Sequence, residues 1–132
     1  PGERLLDQML HYGKMLYIVD CLLPKVPDSL KMGYTHEQME GSTANEQAVW
    51  ARLLEQNLLY STDAKKLRKL VSPSPNAPIV FQEAPGEIGN WVGWQIVKAY
   101  LKRHPQTTMD ELLNFRDAQK FLEESKYKPR RE

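Results

Sequence analysis

Apolar residues recur at three- and four-residue spacing along most of the chain, the period of helices that bury one face. Leu5, Leu6, Met9, Leu10, Gly13, Leu16 and Tyr17 draw one such stripe along a segment Glu3–Leu23, and Pro24 stops it. Two prolines, an Asp-Ser pair and a glycine make Pro24–Gly33 a loop. Thr35-His36-Glu37-Gln38 has the form of a capping box and opens a short helix. Gly41 then interrupts, and Ser42 or Thr43 caps a second long helix in which Val49, Trp50, Leu53, Leu54 and Leu58 share a face.

Asp63–Val71 reads as a further short helix, and the prolines of Ser72–Pro78 mark the strongest loop. Ile79-Val80-Phe81 is briefly extended but too isolated to imply a sheet. After Pro85-Gly86 a helix runs to about Arg103 with Ile88, Trp91, Val92, Ile96 and Tyr100 inward, and His104-Pro105 ends it. Thr108-Met109-Asp110-Glu111 is a second capping box for a helix through Leu113, and Asp117–Ser125 is the last helix, anchored by Phe121 and Leu122. The pattern predicts an all-α fold, a single compact multi-helix domain over residues 1–132, with no repeat at a fixed period.

Composition narrows the function classes. The chain has 132 residues and 41% hydrophobic content, enough for one core and short for two domains. Eighteen basic and seventeen acidic residues give a net charge of +1, so no global field draws nucleic acid or an anionic membrane. The locally basic tail Lys126, Lys128, Arg130, Arg131 reads as a short solvated end. The single cysteine, Cys21, excludes an intramolecular disulfide and a cysteine-based zinc cluster. No run reaches the roughly 18 apolar residues of a membrane span, and no signal-peptide core opens the chain. Since Pro1-Gly2 leads at once into a helix, the sequence reads as a piece of a longer protein whose export signal or lipid-anchor cysteine would lie upstream.

The chemical inventory is sparse. His36-Glu37-Gln38-Met39-Glu40 invites comparison with the zinc-protease helix HExxH, but Glu40 stands where the second histidine belongs, and a capped, solvated turn is the preferred reading. His11 lies beside the first apolar stripe with Lys14 on the same side; it is either a hydrogen-bonded structural histidine or, with Glu46, the relic of a metal site. Gly86, Gly89 and Gly93 interleaved with Trp91 and Trp94 point to close approach of a backbone or a ligand, with tight helix packing preferred over a ligand cradle. No GxSxG serine exists, and Cys21 has no histidine near it in sequence to activate it. The sequence therefore predicts no catalytic residue, no metal and no cofactor.

Read in order, His11-Tyr12-Gly13-Lys14-x-Leu16-Tyr17, Asp20-Cys21-Leu22-Leu23-Pro24, Gly33-Tyr34-Thr35, Asn45-Glu46-x-x-x-Trp50, Leu59-Tyr60-Ser61-Thr62-Asp63, the block from Ala84-Pro85-Gly86 through Val97, and Ser125-Lys126-Tyr127-Lys128-Pro129 resemble the gliding-motility lipoprotein family GldB. The resemblance covers nearly the whole chain and implies an envelope lipoprotein of the Bacteroidetes type, lipid-anchored and exposed to the periplasm or the cell exterior, allied to gliding and secretion machinery. The layout also looks like the helical half of zincin-type metallopeptidases, in which His11 and Glu46 would match ligand positions while Tyr12 and Met15 replace the catalytic glutamate and second histidine. The resemblance thus implies a peptidase scaffold without its metal site. The expected function is a non-catalytic module that binds an envelope protein partner through a cleft of His11, Lys14, Tyr34, Glu46, Trp50, Glu87, Trp91 and Gln95; the membrane is met only through the upstream anchor. The alternative is a divergent metal-dependent peptidase or hydrolase using His11 and Glu46, or the His36-Glu37-Glu40 cluster.

Overall fold

The computed structural model describes residues 4–74, 76–80 and 84–129, and among these every regular element is helical. Helix α1 spans Leu5–Leu22. Its first turn is closed by Asp7, whose Oδ2 accepts from the Arg4 backbone N–H at 3.1 Å and from its guanidinium at 3.3 Å. Leu5, Leu6, Met9, Leu10 and Gly13 are buried, so the predicted stripe is covered along the first half of the helix. Beyond Gly13 the cover thins. Leu16 and Tyr17 are only half-buried, and Tyr12, Met15, Val19, Leu22 and Leu23 are exposed.

The expected loop 24–33 contains a helix, α2, Asp28–Met32. Pro24 and Pro27 precede it, and Gly33, at φ 71°, ends it with Tyr34 N donating back to Ser29 O at 2.8 Å. The prolines and the glycine therefore bound a single turn and a half of helix. Helix α3, His36–Ala44, starts at the predicted capping box, with Gln38 N–Thr35 Oγ1 at 3.0 Å and Thr35 N–Gln38 Oε1 at 2.9 Å. Gly41 does not interrupt it, because one interior glycine costs only about 1 kcal/mol relative to alanine. Ser42 lies inside the helix, donating to Gln38 O at 2.8 Å, and the break falls at Asn45.

Helix α4, Glu46–Glu55, buries Val49 and Leu53 and half-buries Trp50; Leu54, expected on the same face, is exposed. Leu58 belongs to a separate 3-10 turn, Leu58–Tyr60, after Asn57 in the left-handed region at φ 54°. Asn tolerates that conformation better than most residues, so α4 stops there. Helix α5, Ala64–Val71, is capped by Asp63, which accepts from Lys65 N at 3.1 Å. Residues 78–80 form a turn where a brief extended run was expected; Phe81 lies outside the described residues.

Helix α6, Ile88–Arg103, is the centre of the fold. Ile88 through Trp94 are buried in succession, so this stretch is enclosed on all sides and not amphipathic. Helix α1 crosses it where two glycines meet: a Cβ on Gly13 would lie 2.6 Å from Trp94 N, and one on Gly93 would overlap the Met9 carbonyl oxygen. Gly89 also brings α6 close to α5, where a Cβ would lie 2.7 Å from Leu70 O. The glycine-tryptophan block is thus a packing device, with backbones pressed together and Trp94 filling the space beside them at 0% exposure.

Helices α7, Met109–Asn114, and α8, Ala118–Ser125, close the far end of α6. The predicted capping box is present, with Thr108 N–Glu111 Oε1 at 2.8 Å and Glu111 N–Thr108 Oγ1 at 3.1 Å, and Asp117, expected as the first residue of the last helix, caps it by accepting from Lys120 N at 3.1 Å. Phe121 stacks on Tyr100 at 4.2 Å and meets Phe115 edge-on at 5.0 Å. No helix among the described residues is long and apolar enough to cross a membrane.

Candidate functional site

The eight residues expected to share one cleft are distributed over three places. His11 and Lys14 line a groove of about 470 Å³ between α1 and the α7–α8 corner, where Leu10, Met15, Leu113 and Phe115 supply the walls. Lys14 Nζ donates to Phe115 O at 2.7 Å. Partial burial, and then the nearby charge of Arg116, lower its pKa from the usual lysine value. His11 meets the Tyr12 ring edge-on at 5.2 Å.

Glu46 lines a different groove, with Gln95 of α6 and the C-terminal segment. Lys126 adopts φ 54° after α8 and turns the chain back, so that the Tyr127 hydroxyl donates to Glu46 Oε2 at 2.7 Å and its ring meets Trp50 edge-on at 4.9 Å. Glu46 and Trp50 therefore hold down the end of the chain. Gln95 Nε2 reaches Trp91 O at 3.4 Å, and Trp91 itself is a core residue at 3% exposure.

The third place holds Tyr34 and Glu87. Tyr34 is buried and donates to Gly86 O at 2.8 Å, next to the start of α6. Beside it lies a pocket of about 170 Å³ with an apolar wall of Tyr12, Met15, Leu16, Val19 and Met32 and a polar floor of Lys31, Glu87 and Asn90. The Lys31 side chain is 1% exposed and its Nζ is held by Asp20 Oδ1 at 2.5 Å, with Asp28 at 3.8 Å. Lys31 and Asn90 are not among the residues expected at the site, and Tyr127 is expected only as part of the closing block Ser125–Pro129 of the family resemblance. A polar Asn90 inside the apolar run Ile88–Val92 was the available signal, whereas the partners of Lys31 and Tyr127 come from folding.

Two features of this pocket are energetically unfavourable as they stand. The Asn90 amide nitrogen donates to Val71 O at 3.1 Å and Glu87 Oε1 at 3.3 Å, which fixes the amide orientation and leaves Oδ1 buried without a partner. An unsatisfied buried acceptor costs about 1–3 kcal/mol. Glu87 sits at φ 64°, ψ 16°, where a side chain other than Gly or Asn is strained by about 1–3 kcal/mol, and it makes no side-chain cap to α6. Among the described residues the other buried side-chain polar atom without a partner is Trp94 Nε1, one turn along α6.

The metal-ligand expectations can be placed too. His36 Nε2 and Glu40 Oε1 are 2.8 Å apart, with side chains 85% and 68% exposed, which makes them a solvated i, i+4 pair. Among the described residues no group of three His, Cys, Asp or Glu side chains is arranged to hold a metal ion, and His11 and Glu46 line separate grooves.

The tyrosines give a pH prediction. Burial, followed by the charge of Glu87 at Tyr34 and by the charge and hydrogen bond of Glu46 at Tyr127, raises both hydroxyls above the ordinary value of 10.0. The folded state then keeps protons that the unfolded chain releases, so the stability these groups contribute is fully present below about pH 10 and is lost as pH rises further. Ultraviolet tyrosinate absorbance is expected to show Tyr34 and Tyr127 ionising only as the fold is lost, and Tyr127→Phe is expected to flatten the alkaline fall in Tm. Reversible ionisation of all six tyrosines near pH 10 in folded protein would contradict this.

No curated protein and no solved structure gives a significant match to the chain. The family model described as gliding motility protein GldB matches residues 1–129, which is nearly its whole length. The glycines that let α1 lie on α6 and the Glu46–Tyr127 clasp therefore belong to a lipoprotein domain, and the chain is a member of the gliding motility protein GldB family.

Proposed function

We propose that the chain is a non-catalytic module of a cell-envelope lipoprotein, held outside the cytoplasm by an upstream lipid anchor, that docks another protein of the gliding or secretion-associated machinery. One observation carries this reading. Tyr12, Met15, Val19 and Leu22 repeat at three- and four-residue spacing on α1 and are 41%, 48%, 36% and 74% exposed, and Leu30 of the adjoining α2 is 69% exposed. Single exposed apolar residues are ordinary, but a ridge three turns long on one helix is the form of a surface that meets a partner helix or extended segment. Tyr12 and Met15, the positions where a metallopeptidase helix would need its glutamate and second histidine, are part of that ridge.

The test compares two sets of variants in gliding cells whose sole copy of the lipoprotein is altered. Met15→Glu with Val19→Glu is expected to abolish gliding while lipoprotein level and Tm stay near wild type, since both side chains already face solvent. His11→Ala and Glu46→Gln are expected to leave gliding intact, and the purified protein is expected to carry no stoichiometric zinc by elemental analysis. Normal gliding in the ridge variant, or a tightly bound metal lost on His11→Ala, sinks the proposal.

A further inference from the structure

The pocket of about 170 Å³ opens between ridge residues Tyr12, Met15 and Val19, so a segment lying on the ridge passes over its mouth. It is smaller than the roughly 300 Å³ at which sites for drug-sized ligands begin, and has room for one long side chain. Its floor holds Glu87, a carboxylate without a cation, and Asn90, whose enclosed Oδ1 has no donor. Asn90, 4% exposed, has both amide hydrogens engaged and its Oδ1 without a donor. The Glu87 carboxylate takes only the Asn90 amide at 3.3 Å and has no cation within ion-pair distance among the described residues.

Lys69, whose carbonyl accepts from Glu87 N at 3.0 Å, is exposed and makes no ion pair with Glu87, and the two lysines on the pocket side are already committed. Lys31 is bound by Asp20 and Asp28, and Lys98 lies 3.5 Å from Asp28 and 4.2 Å from the centre of the Trp94 ring. Lys31 and Lys98 are thus taken by Asp20 and Asp28, and Glu87 is left without either. Lys31 shows how the same wall treats a basic side chain: its aliphatic stem is buried and its head meets a carboxylate. Glu87 also holds a backbone conformation that glycine would adopt without strain, so its carboxylate stands at the pocket despite the local geometry.

We infer that the docked partner inserts one lysine or arginine here, its stem against Met15, Leu16 and Met32 and its cationic head on the Glu87 carboxylate, beside Asn90. This rests on the ridge being the docking surface, and it specifies the chemistry of the residue that docks at its centre. The bond to Glu87 would be charge-assisted and would give that carboxylate its cation.

The probes are n-butylammonium and n-butylguanidinium, with 1-butanol as the neutral isostere, titrated into the full chain and followed by the NMR signals of the Asn90 side-chain amide. Saturable millimolar binding of at least one cation is expected, about tenfold tighter than butanol. Glu87→Gln is expected to weaken it about tenfold at unchanged Tm. Glu87→Gly is expected to abolish it while Tm holds or rises, an outcome that simple damage to the fold would not give. Butanol binding as well as the cations, no movement of the Asn90 signals, or unaltered cation binding in Glu87→Gln overturns the inference. If the ridge variant still stops gliding while the probes fail, the cation pocket falls alone; if the ridge variant glides, the docking surface falls first.

Discussion

Gly93→Ala is expected to destabilise the domain by more than about 3 kcal/mol, against the roughly 5–15 kcal/mol that holds such a domain together. The added Cβ would overlap the carbonyl oxygen of Met9 and lie 3.2 Å from its Cα, and these are backbone atoms of another helix that cannot rotate away. Relief requires α1 to move off α6, and that movement would also expose Met9 and Trp94, both at 0% exposure. Gly13→Ala meets the same wall from the other side, against the Gly93 carbonyl and Trp94 N, so the two substitutions together are expected to be far from additive. Gly41→Ala is the control. Its Cβ would have nothing within 4 Å, it lies inside α3, and helix propensity alone is expected to raise stability by up to about 1 kcal/mol. Thermal and denaturant unfolding of the three variants measures all of this. A Gly93→Ala protein as stable as Gly41→Ala would mean that α1 and α6 are not in backbone contact.

The contrast between Gly93 and Gly41 marks where sequence reasoning reached and where it stopped. Local chemistry was legible. Thr35 with Gln38 and Thr108 with Glu111 cap the helices expected of them, and the helices expected to begin at Asp63 and Asp117 begin there with those residues as caps, because a cap needs only residues two or three apart. Pro24 and His104-Pro105 likewise bound helices that end at Leu22 and Arg103. The glycine-tryptophan block was legible as close packing, but not its partner, since Gly13 is remote in sequence and carries no mark of its own. The candidate site fared worse for the same reason. Glu46 finds Tyr127 across 81 residues, and Lys14 finds Phe115 across 101, so both are engaged by contacts that no local pattern encodes. A list of polar and aromatic residues near apolar stripes was therefore sorted into three places only by the tertiary assembly. Leu16 and Tyr17, in one apolar stripe with Leu5 to Gly13, are only half-buried, because periodicity shows that a face is apolar without showing how completely it is covered.

Phe121→Ala is the second large effect expected, about 3–5 kcal/mol from lost burial and cavity formation, with the aromatic contacts adding about 0.5–1.5 kcal/mol per pair. Phe121 is fully buried, lies parallel to Tyr100 at 4.2 Å and perpendicular to Phe115 at 5.0 Å, and carries Lys14 Nζ 5.5 Å above its ring. It is the largest side chain that α8 contributes to the core, and α8 leads directly into the turn that brings Tyr127 onto Glu46. Removing the ring is therefore expected to act beyond its own cavity, loosening α8 and releasing the Tyr127–Glu46 hydrogen bond before the α1–α6 pair opens. Hydrogen exchange should show this order, with amides of 118–127 losing protection while those of Val92 to Tyr100 on α6 keep theirs. Phe121→Leu, which retains most of the volume, is expected to cost less than half as much and to preserve the clasp. Uniform loss of protection across α6 and α8 in Phe121→Ala would show instead that α8 is an integral part of the α1–α6 core, and that the clasp on Glu46 cannot open without unfolding the whole.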